Sequence, residues 1–233
     1  AFGTTHRKHA STFGVPSIMP TRGCGYLIQK ELKFLNQLLS NPGHPYVVIL
    51  GGSKVSDKIK TIENIFLQAD TILIGGAMAH AFRLAAGGYE LPAPAKAPAA
   101  ADVETAKMLL VKANKHGVTI TLPVDDLNGF DIGPCTIDSF TSAIQRAKTI
   151  FWNGPVGMFE KPEYANGSLA IAQAIAKNTG LKVVGGGDTV SAVNLAGVAA
   201  QMSHISTGGG ATLEFLEGNG LPGINVLQSY GKV

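Results

Sequence analysis

The chain has 233 residues, enough for one large α/β domain or two small ones. Its 45% hydrophobic and 15% charged content supports a sizeable core and excludes bulk disorder. A net charge of +3 is too mild to argue for nucleic acid. Cys24 and Cys135 are the only cysteines, so there is no disulfide framework, which fits a reducing compartment. No apolar run reaches membrane-spanning length, and residues 1–20 do not read as a signal peptide. A start at Ala1 rather than Met leads to the expectation that an upstream portion is missing.

Residues 1–20 read as irregular, since Gly14, Pro16 and Pro20 interrupt any period. Their basic cluster His6-Arg7-Lys8-His9 is either a solvated patch or an anion site. Tyr26 to Leu39 predicts an amphipathic helix, ended by Asn41-Pro42-Gly43. Tyr46 to Leu50 is an apolar run suited to a strand buried on both faces. A helix is expected from about Ser56 to Gln68, a strand at 71–74 and a helix at 77–86. Residues 91–101, rich in proline and alanine, read as a loop. Further expected helices run over 102–115, 137–147, 168–177, 189–200 and 212–217. Further expected strands run over 118–122, 149–152, 183–184 and 204–206. This alternation predicts an α/β fold: an open, mostly parallel sheet with helices on both faces, a Rossmann-like three-layer sandwich. Ligands of such sheets sit beyond the carboxyl ends of the strands.

Three glycine clusters fall at those ends. Gly51-Gly52-Ser53-Lys54 is followed by Lys58, Gly185-Gly186-Gly187 leads into Asp188-Thr189, and Gly208-Gly209-Gly210 opens the last helical pattern. A helix start carries unpaired N–H groups and partial positive charge, and glycine lets a bulky anion approach the backbone. Lys54 and Lys58, four apart, share a face if a helix has begun; they are either a solvated pair or an anion clamp. The glycine turn favours the clamp. The first cluster is not a Walker loop, because the four-residue gap before a second glycine and the Lys-Ser/Thr pair are absent. Asp188 is either a plain N-cap or the carboxylate of a magnesium site, and Thr189 can donate to a phosphate oxygen. Trp152 to Glu160 (WNGPVGMFE) is either a core-facing turn with a surface glutamate or an apolar slot with an acceptor for ribose. Spacing alone does not choose. His80, His116 and His204 read as core or surface residues, no histidine pair has zinc spacing, and no Ser-His-Asp or Cys-His set is legible. The simplest common ligand is a nucleotide polyphosphate.

Taken in order, these runs resemble the phosphoglycerate kinase family. They are AFGTTHRKHAS, YLIQKELKFL, VILGGSKVSDKIKTIENI, ILIGGAMAHAF, TLPVD, FDIGP, FWNGPVGMFE, VVGGGDTVSAV and SHISTGGGATLEFLEG, in the family's order, and the resemblance covers nearly the whole chain. The resemblance implies a cytoplasmic, monomeric enzyme that transfers phosphate between 1,3-bisphosphoglycerate and ADP, giving 3-phosphoglycerate and ATP with Mg2+. It implies no nucleic acid and no membrane. Carried over by position, Lys58 contacts the nucleotide phosphates and Lys54 stabilises the group in flight. Gly52 and Gly186 belong to the nucleotide loops. Gly75, Gly76, Gly129, Phe130 and Val156 border adenine or ribose, with Gly154 and Pro155 shaping that wall. Glu160 binds ribose, Asp188 holds the metal and Thr189 binds phosphate. Gly187, with Gly209 or Gly210, supplies donors to the transferred group, and Arg7 binds phosphoglycerate.

The resemblance also divides the chain: 1–20 as a remnant of the N-terminal substrate domain, 21–42 as the interdomain helix, 43–205 as the nucleotide-binding domain, and 206–233 as hinge and tail. The family's N-terminal domain, with most of its basic cluster, is expected to be absent, so the chain alone is expected to bind nucleotide without efficient turnover. The sequence is shorter than the family between Leu122 and Phe130, has Ala77 where a third glycine is usual, and departs at 91–101. Two other readings are a non-catalytic nucleotide-binding module that works through a partner, and a dinucleotide-dependent oxidoreductase. The latter lacks the GxGxxG fingerprint and its downstream acid.

Overall fold

The computed structural model describes residues 1–228. Its first segment is helical in short pieces rather than irregular: a 3-10 turn at Phe2–Thr4, a π turn at Ala10–Gly14 and a one-turn α1, Val15–Ile18. Phe2 is buried and packs against Gly208. That contact explains the order, because an aromatic anchor holds a segment whose own periodicity is poor. Next comes α2 (Tyr26–Ser40), with Leu35 and Leu38 buried.

Except for a short strand pair within 126–132 and a last helix at 222–228, which the apolar pattern does not predict, the remaining elements alternate as that pattern predicts. They are β1 (Tyr46–Leu50), α3 (Ile59–Ile65), β2 (Thr71–Ile74), α4 (Met78–Ala86), α5 (Ala100–His116) and β3 (Thr119–Thr121). After a short pair, β4 (Asp126–Leu127) and β5 (Asp131–Ile132), come α6 (Pro134–Arg146), β6 (Thr149–Asn153), α7 (Asn166–Lys177), β7 (Leu181–Gly185), α8 (Gly187–Leu195), β8 (His204–Ile205), α9 (Gly209–Leu216) and α10 (Pro222–Gln228). The expected helix at 189–200 is two pieces, since Gly197 at φ +71° stops α8 and a separate 3-10 turn follows at Ala199–Gln201.

Six strands form one parallel sheet in the order β3-β2-β1-β6-β7-β8. Numbered within that sheet alone, this is 3-2-1-4-5-6, the doubly wound order of dinucleotide-binding folds. Side chains alternate along each strand, so β1 divides its residues between two cores. Tyr46, Val48 and Leu50 join Leu35, Ile62, Phe82 and Leu109 on one face. Val47 and Ile49 join Trp152, Phe140, Ile171 and Val193 on the other. All five β1 residues are buried, which explains why the run lacks polar alternation.

The antiparallel pair β4–β5 lies outside the sheet. Its turn is closed by the Phe130 N–H donating to the Leu127 carbonyl at 2.9 Å, with Asn128 at φ +54° and Gly129 at φ +74°. An Asn-Gly pair is a strong short hairpin signal, since both residues tolerate positive φ. The flanking strands are only two residues long, too short for a period to be seen.

The sheet order reverses between β1 and β6, and their exit loops touch backbone to backbone. Gly51 N–H donates to Asn153 O at 3.0 Å and Gly52 N–H to Pro155 O at 3.2 Å. A Cβ on Gly51 would lie 2.0 Å from Pro155 O, and one on Gly154 2.3 Å from Gly51 O. No side chain fits at either place. Gly51→Ala is therefore expected to destabilise the fold by about 1–3 kcal/mol, as overpacking does. Gly14→Ala, where an added Cβ meets nothing within 4 Å, should cost far less. Urea midpoints followed by Trp152 fluorescence check both.

Candidate nucleotide-phosphate cleft

Two adjoining hollows open at this reversal point. The inner one, about 290 Å3, is lined by residues of all three glycine clusters: Gly51 to Lys54, Gly186 to Thr189, and Gly209, together with Lys58 and Asn153. The outer one, about 300 Å3, is bounded by Gly76, Ala77, Gly129, Phe130, Met158 and Glu160. Gly52, Ser53, Pro155 and Asp188 line both, so the two form one cleft.

The lysines arrive by a route the spacing does not describe. Residues 53–55 are not helical; a 3-10 turn covers Ser56–Lys58 and α3 begins only at Ile59. Val55, fully buried, pins this loop so that exposed Lys54 lines the cleft. Lys58 is held differently: its Nζ donates to Asn153 Oδ1, while Asn153 Nδ2 donates to Gly185 O at 2.9 Å. Asn153 is buried and joins β1's lysine loop to β7's exit. In the sequence Asn153 stands out only as the start of an Asn-Gly-Pro turn, and its position at the end of a buried strand is the available signal.

Gly186, at φ +93°, caps α8 without a side chain, so the first-turn N–H groups of α8 stay unpaired at the cleft. Asp188 is the second helical residue, not the N-cap. Its carboxylate has no hydrogen bond or ion pair to any described residue and lines both hollows. Thr189 is buried, and its hydroxyl accepts the Gly154 N–H at 2.6 Å. It thus clamps the β6 loop, an engagement that the spacing did not reveal.

Several carried-over residues stand behind the cleft rather than in its lining. Val156 is buried, and a Cβ on Gly75 would lie 2.6 Å from it. These two form the floor under the Gly76 and Pro155 loops, where Gly76 N–H donates to Val156 O at 2.9 Å. Gly209 lines the inner hollow; Gly210 faces His6, whose Nε2 would lie 3.4 Å from an added Cβ. Exposed Arg7 donates from Nε to His6 Nε2 at 3.3 Å, which puts the basic cluster beside the third glycine loop but outside the hollows.

A single unpaired carboxylate beside helix-terminal amides suits Mg2+, which keeps most of its waters and takes one or two carboxylates plus phosphate oxygens. No cluster of three or more metal-ligating side chains exists among the described residues. No helix there is long and apolar enough to cross a membrane.

Fold and cleft together define an open α/β domain with an anion-receptive crevice at its topological switch point. The family model for phosphoglycerate kinase matches residues 1–128 and 125–219. Those segments meet where the sequence is expected to run short. Phosphoglycerate kinase of Anaeromyxobacter sp. (strain Fw109-5) is 44% identical over 254 residues, covering 98% of this chain and 63% of that protein. That of Clostridium botulinum (strain Alaska E43 / Type E3) is 47% identical over 249 residues, covering 97% and 62%. The solved phosphoglycerate kinase from Coxiella burnetii superposes with a TM-score of 0.93 at 38% identity, covering all of this chain and 65% of that one. That of Pyrococcus horikoshii OT3 gives 0.80 at 32% identity, covering 98% and 62%. The chain belongs to the phosphoglycerate kinase family. It spans just over three fifths of the length of these relatives.

Beneath the outer hollow, Asp131 accepts from Gly167 N–H at 2.7 Å and from its neighbour Ile132 N–H at 2.9 Å. Burial raises its carboxyl to about 6 against an ordinary 3.8, with these N–H bonds only partly opposing. The folded state thus holds this proton up to about pH 6, whereas the unfolded chain releases it near 3.8. Asp131 therefore makes native stability fall as pH rises through that window, and contributes no slope above it. Urea midpoints from pH 4 to pH 7 should show this downward component in the wild type and its loss in Asp131→Asn.

Proposed function

We propose that this chain is the nucleotide-binding half of a phosphoglycerate kinase. The whole enzyme reversibly transfers the acyl phosphoryl group of 1,3-bisphosphoglycerate to the terminal phosphate oxygen of ADP, giving 3-phosphoglycerate and ATP. The observation that carries this reading is the single cleft into which three separate glycine loops, two lysines and the unpaired Asp188 carboxylate at the start of α8 converge. Phosphoryl transfer needs little covalent help; it needs its charge held and its oxygens aligned.

The division of labour follows from the site. Lys58, steadied by Asn153, holds the nucleotide phosphates, together with the Gly52 and Gly186 loops. Lys54, tethered by Val55, offers its charge to the group in flight, with N–H donors from Gly187 and the Gly209-Gly210 turn. Asp188 would hold Mg2+, which when bound neutralises charge on the phosphates. Gly76, Gly129 and Phe130, over a floor of Gly75 and Val156, form the base side; Glu160 accepts from ribose and Thr189 serves the phosphate side. Arg7, at the edge of the basic cluster, faces the acid substrate. In this reading residues 1–20 border the second lobe, 21–42 join the lobes, and the hinge and tail expected over 206–233 return toward it as far as residue 228, the rest lying outside the described residues. The protein is read as a cytoplasmic monomer that binds neither nucleic acid nor membrane.

Residues 1–233 alone are expected to bind ADP or ATP and turn over poorly, because transfer needs closure around both substrates. The alternative reading is a nucleotide-binding module that acts through a partner. Robust turnover by the purified chain would eliminate that reading. Calorimetry checks the site directly. Lys58→Ala should weaken ADP or ATP binding about tenfold or more, the worth of one charged hydrogen bond. Asp188→Ala should weaken only the magnesium-dependent part, and unchanged affinities in both variants would sink the cleft as the nucleotide site.

A further inference from the structure

The outer hollow is lined on its base side by Gly129 and Phe130, which carry no side-chain hydrogen-bonding group. The Gly129 peptide is gripped at both ends. Its N–H donates to Asp126 Oδ1 at 2.8 Å, and its carbonyl accepts from His80 Nε2 at 2.9 Å. A carbonyl can only accept, so Nε2 carries the proton, and Nδ1 accepts the Tyr89 hydroxyl at 2.9 Å. Arg83 closes the frame, pairing with Asp126 Oδ2 at 2.6 Å and lying 3.6 Å above the Tyr89 ring.

His80 is nearly fully buried on α4, 49 residues from the peptide it holds. Burial, with Arg83 adding to it, holds the imidazole below its ordinary value, against the opposing pull of the Gly129 bond and Asp126. The ring is thus neutral near pH 7 and can donate once and accept once. Behind the wall it shares a water-sized void of about 10 Å3 with Arg83, Asp126 and Asp131. Gly129 has no slack on its other side, since an added Cβ would lie 2.6 Å from Ala95 Cβ.

We propose that His80 is the positioning residue for base recognition: it sets the Gly129 carbonyl and hence the base-side wall, without touching the nucleotide or affecting the phosphate side. The proposal rests on the nucleotide reading of the cleft. It separates two ligands by chemistry. A nucleoside diphosphate uses both hollows, whereas tripolyphosphate uses only the inner one, which His80 does not line.

The test is calorimetry of the 233-residue chain with ADP and Mg2+, and with tripolyphosphate, for wild type, His80→Phe and His80→Gln. Phe keeps the ring and removes both polar contacts; Gln returns a donor at the Nε2 position. His80→Phe should raise the ADP dissociation constant about five- to tenfold, as loss of one hydrogen bond does. Tripolyphosphate affinity should stay unchanged, and His80→Gln should recover most of the ADP affinity. Equal ADP binding by wild type and His80→Phe overturns the proposal, and so does a matching loss for both ligands, which would mark a general structural role. If His80→Phe does not fold, Tyr89→Phe, which removes only the hydroxyl that fixes the tautomer, should weaken ADP and spare tripolyphosphate; no change there counts equally against the proposal. A wild-type chain that binds neither ligand ends the cleft reading and this proposal with it.

Discussion

The contact between the β1 and β6 exit loops is the constraint from which the cleft follows. At the switch point of a doubly wound sheet, neighbouring strands send their helices to opposite faces, and their loops would normally splay apart. Here they stay within hydrogen-bonding distance, because Gly51 and Gly154 leave no Cβ between them. That closeness lets Gly52, Gly76 and Pro155 form one continuous surface. It also brings Lys58, which follows β1, onto Asn153 at the end of β6. The glycines therefore act first as spacers and only then as donors.

The cleft and its surroundings hold their charges differently. Lys54 and Asp188 line the cleft without protein partners among the described residues, whereas behind the base-side wall Arg83 and Asp126 are paired with each other. Unpaired charges beside free helix-terminal amides leave the cleft receptive to an anion. By contrast, Glu31, buried on α2, is fully engaged. Burial alone would raise its carboxyl, but hydrogen bonds from His204 and from Thr207 outweigh it and hold it below its ordinary value. With Phe34 stacked on His204, that cluster ties α2 to β8 and to the third glycine loop. The loop that offers amides to the cleft is thus anchored from outside it.

Much of this was legible in the residues. Strand and helix alternation, the two-sided burial of Tyr46 to Leu50 and the helices on both faces all follow from apolar periodicity, which is a local property. So does the placement of glycine runs at strand ends. What periodicity missed was short or borrowed order: the first segment, held by Phe2, and the β4–β5 hairpin, whose strands are too brief to show a period. The lysine pair was grouped for a partly wrong reason, since its shared orientation comes from the buried anchor Val55 and from Asn153 rather than from a helix turn.

The sequence by itself determined the fold class, the family and the chemistry of the loops, because residue type, period and motif order are written along the chain. Tertiary structure decided which of the motif residues form the lining and which the support. Gly209 rather than Gly210 reaches the inner hollow, Val156 lies under the wall, and Thr189 holds Gly154. It also decided that His80, unremarkable in sequence, grips a peptide 49 residues away. The physical reason is that a hydrogen bond or a steric contact depends on distance in space, and the parallel sheet sets those distances only after its strands have paired out of sequence order.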